Sequence, residues 1–165
     1  MEDKNNFCVV GIDLAGKEEN PTGFCVLTPK GAKTKKLFTD KEILREISRL
    51  KPQVVAIDAP LWLPPPGIAW RIGELLLMKR GFRPLSLLLP SMRLLALRAK
   101  NLAQEIRKMG IEVIEVFAAA SEKIFGLEKQ KYRSKDEYDA LLCALTAKAY
   151  LEGKYEDLGG IILPK

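Results

Sequence analysis

Two aspartates stand directly after runs of apolar residues, where an ionised side chain is unusual. Asp58 follows residues 54–57, and Asp13 follows residues 9–12. A carboxylate at such a place loses hydration unless it is paired or binds a metal ion. Plainer explanations exist, because Asp58 could start a turn or cap the next segment, and Asp13 could lead into the turn at residues 15–16.

A further pair of acids lies near the end of the chain. Asp136 and Asp139 are three residues apart, so on a helix they share one face. The dipole of a helix explains an acid in its first turn, such as Asp136, but not the deeper Asp139. Small side chains after it, such as Ala140 and Ala144, predict that the helix lies close to a sheet and directs Asp139 toward the strand ends.

The residue types available restrict the chemistry of such a site. The chain has no histidine, which excludes Ser-His triads and the usual zinc, copper and iron sites. A site made only of carboxylates prefers hard ions such as Mg²⁺ or Mn²⁺. Two such ions about 4 Å apart can activate water and stabilise the leaving oxygen of a phosphodiester. We therefore predict a two-ion site for Mg²⁺ or Mn²⁺.

Apolar periodicity and turn signals predict the order β, β, β, α, β, α, α, β, α. The three opening strands are expected to be antiparallel, and the later alternation predicts a mixed five-stranded sheet with helices on both faces. Thr39 with Glu42 and Ser134 with Glu137 form capping boxes, and Ser91 is predicted to cap a long helix. The predicted strands cover residues 7–14, 22–28, 33–38, 53–58 and 111–117. Four helices are predicted: one that begins after residue 39, one over 68–80, one over 91–110 and one from 134 to about 153.

The composition predicts one folded domain over residues 1–165. The chain has 47% hydrophobic and 29% charged residues and no linker-like or repeated segment. A helical insertion is expected at about 61–90. Three cysteines within apolar segments indicate reduced thiols, and neither a membrane-spanning run nor a basic leader is seen, so we expect a cytoplasmic protein without a membrane partner.

A net charge of +6 and a pI near 9.2 favour polyanionic partners, although many basic proteins bind no nucleic acid. Basic residues concentrate between the fourth and fifth predicted strands, where they could meet phosphates or could simply form solvated helix faces. Trp62 and Trp70 could stack on bases or anchor their loop. The residues in this basic group are Arg71, Lys79, Arg80, Arg83, Arg93, Arg98 and Lys100.

The element order, with aspartates on the first strand, after the fourth strand and in the last helix, resembles the ribonuclease H-like fold. The segment D-E-Y-D-A-L-L-C-A-L at residues 136–145 is similar to the last-helix motif of Holliday-junction resolvases. Together with G-I-D-L-A, A-I-D-A-P-L, Arg71 with Glu74, and E-V-F-A-A-A at residues 115–120, it resembles, over nearly the whole chain, a family of predicted nucleases.

This resemblance implies a metal-dependent nuclease with Asp13, Asp58 and Asp139 as catalytic metal ligands and Asp136 as the fourth. Relatives carry E-V-Y-P or E-x-H-P where this chain has residues 115–118, and often a histidine near position 136. Residues expected to support the site or contact substrate are Glu115, Glu74 and Arg71, although Glu115 could merely alternate outward on its strand. Residues expected to contact the nucleic-acid backbone are Arg83, Arg93 and Lys100.

Three functional hypotheses follow from these residues. The first is metal-dependent hydrolysis of DNA or RNA, and the second is a non-catalytic nucleic-acid-binding or scaffold protein that retains the fold. Phosphoryl transfer from a nucleotide is disfavoured because the related kinases flank the nucleotide with two such domains and because no G-x-x-x-x-G-K-[ST] loop is present. Leu85, Leu87, Leu88 and Leu89 would suit the contact of a homodimer if they were exposed.

Overall fold

The computed structural model describes residues 5–128 and 134–165, so the acidic N-terminus at residues 1–3 lies outside the described residues. Within these ranges the chain forms seven strands and five helices. The strands are β1 (Val9–Asp13), β2 (Thr22–Thr28), β3 (Gly31–Leu37), β4 (Val54–Ile57), β5 (Glu112–Val116), β6 (Tyr155–Leu158) and β7 (Ile161–Pro164). The helices are α1 (Asp40–Leu50), α2 (Ile72–Lys79), α3 (Pro90–Lys108), α4 (Ala118–Phe125) and α5 (Lys135–Leu151).

All strands join one mixed sheet in the order β3-β2-β1-β4-β5-β7-β6. The β1–β2 and β2–β3 pairs are antiparallel, as predicted. The β1–β4, β4–β5 and β5–β7 pairs are parallel. The mixed α/β class is therefore confirmed. Because β1 and β4 are adjacent and parallel, their carboxyl ends meet at one edge of the sheet.

The predicted count of five strands is wrong, because a C-terminal hairpin adds β6 and β7. Each has only four residues, which is too short for a clear alternation of polar and apolar positions. Gly159 and Gly160 connect them with φ angles of 61° and 100°. Positive φ at two central residues is what a tight hairpin turn requires, and glycine adopts it without steric cost.

Helix boundaries also differ from the predictions. Ser91 does not cap the long helix, because α3 begins at Pro90 with Leu89 as its N-cap residue; proline suits the first helical position, where no N–H partner is needed. The predicted helix over 68–80 begins only at Ile72. Helix α4 was not predicted, since its alanine-rich sequence directly after β5 shows little amphipathic pattern.

The sheet is covered by helices on both faces. Alternate residues of β1 face opposite sides, so that Val9 belongs to one apolar cluster with α5, and Val10 and Ile12 belong to another with α1 and α3. Thr39 and Ser134 are the N-cap residues of α1 and α5, and their hydroxyls accept the N–H groups of Glu42 and Glu137. Only this half of each predicted capping box is formed, because Glu42 accepts the N–H of Phe38, and Glu137 accepts the hydroxyl of Ser134. No helix within the described ranges is both long and apolar enough to cross a membrane.

Candidate metal centre

Three aspartates from distant parts of the chain meet at the carboxyl end of the central strands. Asp13 ends β1, Asp58 directly follows β4, and Asp139 lies in the second turn of α5. One carboxylate oxygen from each lies within 4.8 Å of the others, and all three side chains are half-buried. Asp136, one turn earlier in α5, helps to raise the pKa of Asp13, but it is not among the three acids whose oxygens converge.

Two glycines allow α5 to lie directly on the sheet. A Cβ added at Gly11 would be 2.1 Å from the carbonyl oxygen of Ala140 and 2.3 Å from the backbone nitrogen of Ala144, and a Cβ at Gly23 would be 1.9 Å from the carbonyl oxygen of Asp136. Any side chain at these strand positions would displace the helix backbone. The predicted close approach of α5 is therefore present, but it depends on glycines of β1 and β2 as well as on the alanines of the helix.

Asp58 has a second contact, which the sequence did not indicate. Its carboxylate accepts a hydrogen bond from the backbone N–H of Ala118, the first residue of α4. Phe117, the N-cap residue of α4, makes no side-chain capping bond. Asp58 thus supplies an acceptor and a negative charge to the amino end of this helix, where both are stabilising. The alternative considered from the sequence, that Asp58 caps the segment that follows it, is therefore not what this contact shows, because α4 is distant from Asp58 in sequence.

The surroundings of these acids favour their protonated forms when no cation is bound. Burial raises the pKa of Asp13 to about 8, and the charges of the other three acids add to the shift. Burial likewise raises the pKa of Asp58 to about 7, although the Ala118 N–H opposes the shift. A cation between the carboxylates would offset both causes. The donor set is oxygen only, which fits a hard divalent ion.

Beside the acids, Arg71 is buried between two glutamates. Its guanidinium donates to Glu115 Oε1 at 2.9 Å and to Glu74 Oε1 at 2.8 Å, and all three side chains are nearly inaccessible to solvent. Glu115 Oε1 also accepts the N–H of Leu61 at 2.9 Å, and Arg71 donates to the carbonyl oxygen of Trp62 at 3.4 Å. This network fixes the loop that follows Asp58. Glu115 therefore does not merely point outward.

A second buried arginine fixes the loop after β1. Arg98 of α3 donates to the carbonyl oxygen of Ala15 at 2.6 Å, to that of Phe38 at 2.7 Å and to Asp40 Oδ1 at 2.9 Å. Arg98 was grouped with basic residues that could meet phosphates, but its donors point into the protein. Each of the two strand-end aspartates is thus followed by a loop whose backbone carbonyl accepts a hydrogen bond from a buried arginine.

The residues predicted to contact a nucleic-acid backbone lie outside the acidic cluster. Arg83 and Lys100 are exposed, and Arg93 is partly buried. None of them lines the cavity that contains Asp13 and Asp58. Trp62 is about half exposed, and the guanidinium carbon of Arg71 lies 5.1 Å from its ring centroid. That contact holds the indole against the buried network.

Two functional features escaped the sequence interpretation. The Arg98 contact lacked a signal because an arginine at the border of an apolar stripe is usually exposed. The Asp58–Ala118 contact required α4, which was not predicted, although a helix starting beside a strand-end acid could have suggested it.

The sequence matches no protein-family model, and no curated protein matches it. The solved structures that are similar to it include two of RuvC. One is RuvC of T. thermophilus in complex with a Holliday junction substrate, which is 19% identical, with 89% of this chain and 96% of that chain covered at a TM-score of 0.48. The other is a Thermus thermophilus RuvC structure, also 19% identical, with 88% and 96% covered at a TM-score of 0.44.

Proposed function

We propose that this chain is a metal-dependent nuclease with a ribonuclease H-like fold, and that it hydrolyses phosphodiester bonds of DNA or RNA. The observation that carries the proposal is the meeting of Asp13, Asp58 and Asp139 oxygens within 4.8 Å in a half-buried position. Folding brings together like charges that repel each other, which is costly unless a cation occupies the space between them.

Asp13, Asp58, Asp139 and Asp136 would hold Mg²⁺ or Mn²⁺, with room in the donor set for two ions. When bound, such ions supply a water of lowered pKa and stabilise charge on the leaving oxygen. Asp58 is fixed by the Ala118 N–H, so its carboxylate is oriented before any ligand arrives. The loops beyond the two strand-end acids are held by Arg98 and Arg71, which keeps the acids in position while substrate binds.

One observation favours the second candidate, a nucleic-acid-binding or scaffold protein without catalysis. Asp58 has a structural role at the amino end of α4, so its presence does not by itself require a metal. Asp139 has no such capping position, since it lies in the second turn of α5. The two functions therefore predict different results for Asp139.

The test measures ion binding and cleavage on the same preparations. Calorimetry with Mn²⁺ and cleavage of single-stranded, duplex and branched DNA and RNA would be compared for wild type, Asp139→Asn and Asp157→Asn. Asp157 is an exposed aspartate of β6 outside the cluster, and it serves as the matched control. We expect Asp139→Asn to reduce cleavage by about a hundredfold or more and Asp157→Asn to leave it unchanged. No cleavage of any substrate, together with no Mn²⁺ binding or with Mn²⁺ binding that Asp139→Asn leaves unchanged, would favour the scaffold.

A further inference from the structure

A cavity of about 210 Å³ extends from the acidic cluster into an apolar recess. Asp13 and Asp58 line one end of it. Its other walls come from α2, from α3, from the loop before α3, from the segment between β5 and α4, and from Ile161 of β7. The apolar residues of these walls include Pro84, Leu85, Met92, Leu95 and Phe117. Leu85 is 60% exposed, so it lies at the mouth of the cavity.

The polar groups in the recess already have partners. Arg71, Glu74 and Glu115 all line the cavity, but they bind each other through the contacts described above. The guanidinium of Arg71 reaches both carboxylates and the Trp62 carbonyl. The recess therefore offers an entering molecule an apolar surface, and its remaining polar end is the acidic cluster itself.

The size of the cavity limits what it can receive. Its volume is about 210 Å³. Pockets that enclose a whole small ligand usually measure ~300–1,000 Å³. The cavity therefore suits one weakly polar group the size of a single ring system, belonging to a larger molecule that extends into solvent. A group in it would be joined to a phosphate at the acidic end.

We propose, on the basis of the nuclease function above, that this cavity binds the nucleobase of a nucleotide adjacent to the scissile phosphate. A base inside a duplex must leave its stack to enter such a recess, which costs free energy, whereas an unpaired base does not. The substrate is accordingly a single strand or an unpaired segment. Because contact is with apolar walls and not with free hydrogen-bonding groups, base identity has little influence.

The test uses two leucine variants and a set of oligonucleotides. Leu85→Trp fills the mouth of the cavity. Leu88→Trp makes the same change three residues later, at a residue that is 50% exposed and does not line the cavity. Both positions are at the surface, so both variants should fold, which their melting temperatures would verify. Cleavage in Mn²⁺ would be measured on single strands, on fully paired duplexes and on single strands with one abasic site moved stepwise past the cut.

We expect wild type to cleave the single strand at least tenfold faster than the duplex. Its cleavage rate should fall about tenfold when the abasic site occupies one particular position beside the cut. Leu85→Trp should cleave the intact strand about tenfold more slowly than Leu88→Trp. On the strand with the abasic site at that position, the two variants should cleave equally, because no base remains to be excluded.

Three results would overturn the inference, and they differ in what else they affect. Equal cleavage by the two variants on intact strands, or no effect of an abasic site at any position, would remove the base-binding role and leave the nuclease function in place. Absence of Mn²⁺ binding and of cleavage on every substrate would remove both, because the base is proposed to bind beside a working metal site.

Discussion

The backbone carbonyl of Asp136 lies directly over Gly23, at a position only 1.9 Å from where a Cβ of that residue would be. Gly23 is also the cross-strand partner of Asp13 in the β1–β2 pair. The glycine therefore determines how closely the first turn of α5 approaches the acid of β1. The acids of the cluster can therefore converge only because residue 23 is a glycine, which leaves room for the backbone of α5.

Replacing Gly23 by alanine should consequently separate α5 from the sheet. We expect Gly23→Ala to lower the free energy of unfolding by about 3 kcal/mol, because backbone must move to admit the methyl group, and to weaken Mn²⁺ binding at least tenfold. Urea denaturation and calorimetry would measure the two effects. The control is Gly16→Ala, whose added Cβ would have its nearest neighbour at 3.9 Å. Unchanged Mn²⁺ affinity in Gly23→Ala would show that the helix position does not control the site.

The meeting of the three aspartates could be predicted from the sequence for a physical reason. Asp13 and Asp58 each follow a short apolar run that forms a strand, and adjacent parallel strands place such residues at one edge of the sheet. Asp139 could be added because small residues beside it indicate close helix packing. These signals are local, so one sequence is sufficient to detect them.

Other parts of the structure depend on tertiary partners that the local sequence does not specify. Arg98 lies at the border of the apolar stripe of α3. Its side chain points into the protein because it donates hydrogen bonds to the carbonyl oxygens of Ala15 and Phe38. The β6–β7 hairpin carries a Gly-Gly turn signal, but its strands are too short to show periodicity. The hairpin joins the sheet because β7 pairs with β5, which is distant in sequence, and β6 then pairs with β7.

The pH dependence of stability should show the raised pKa values of the cluster. Folding raises the pKa of Asp13 to about 8 and that of Asp58 to about 7, so between pH 5 and pH 8 the folded state holds protons that the unfolded state has released. Stability then falls as pH rises through this range. Without divalent ions we expect the melting temperature to be several degrees lower at pH 8 than at pH 5.

Calorimetric melting in a chelator at several pH values would measure this slope, and Mg²⁺ should flatten it by stabilising the ionised carboxylates. Asp13→Asn should reduce the slope, whereas Asp157→Asn, outside the cluster, should keep it. An equal slope in wild type and Asp13→Asn would mean that other groups cause the pH dependence.

Arg98 should act on the metal site by holding the loop after Asp13. Arg98→Met removes three donors and leaves the carbonyl oxygens of Ala15 and Phe38 without them, so we expect a loss of about 2 kcal/mol in unfolding free energy. Mn²⁺ affinity should fall several-fold. Arg98→Lys should recover only part of each loss, because an ammonium group cannot reproduce the fork of a guanidinium.

A lysine of the same helix provides the control for Arg98. Lys108 makes only an exposed ion pair with Glu105, and such a pair contributes about 0.5 kcal/mol or less. Lys108→Met should leave Mn²⁺ affinity unchanged. If Arg98→Met lost stability but bound Mn²⁺ as wild type does, the arginine would be structural without positioning Asp13.

Two substitutions at Glu115 should separate its charge from its shape. Glu115→Ala leaves Arg71 buried with one of its two carboxylates removed, and loss of one partner of a buried ion pair costs about 3 kcal/mol. Glu115→Gln keeps an oxygen for the Leu61 N–H and removes a negative charge whose repulsion raises the pKa of Asp58. The glutamine variant should therefore lose less stability than the alanine variant. Its stability should also fall less steeply between pH 5 and pH 8 than that of wild type, because the repulsion of Asp58 is removed and because Glu115, whose own pKa is raised by burial, no longer titrates. The matched change Glu112→Gln, at an exposed residue of the same strand, should leave the pH dependence of stability unchanged. If Glu115→Gln lost stability with pH as steeply as wild type does, Glu115 would contribute neither through its own titration nor through Asp58.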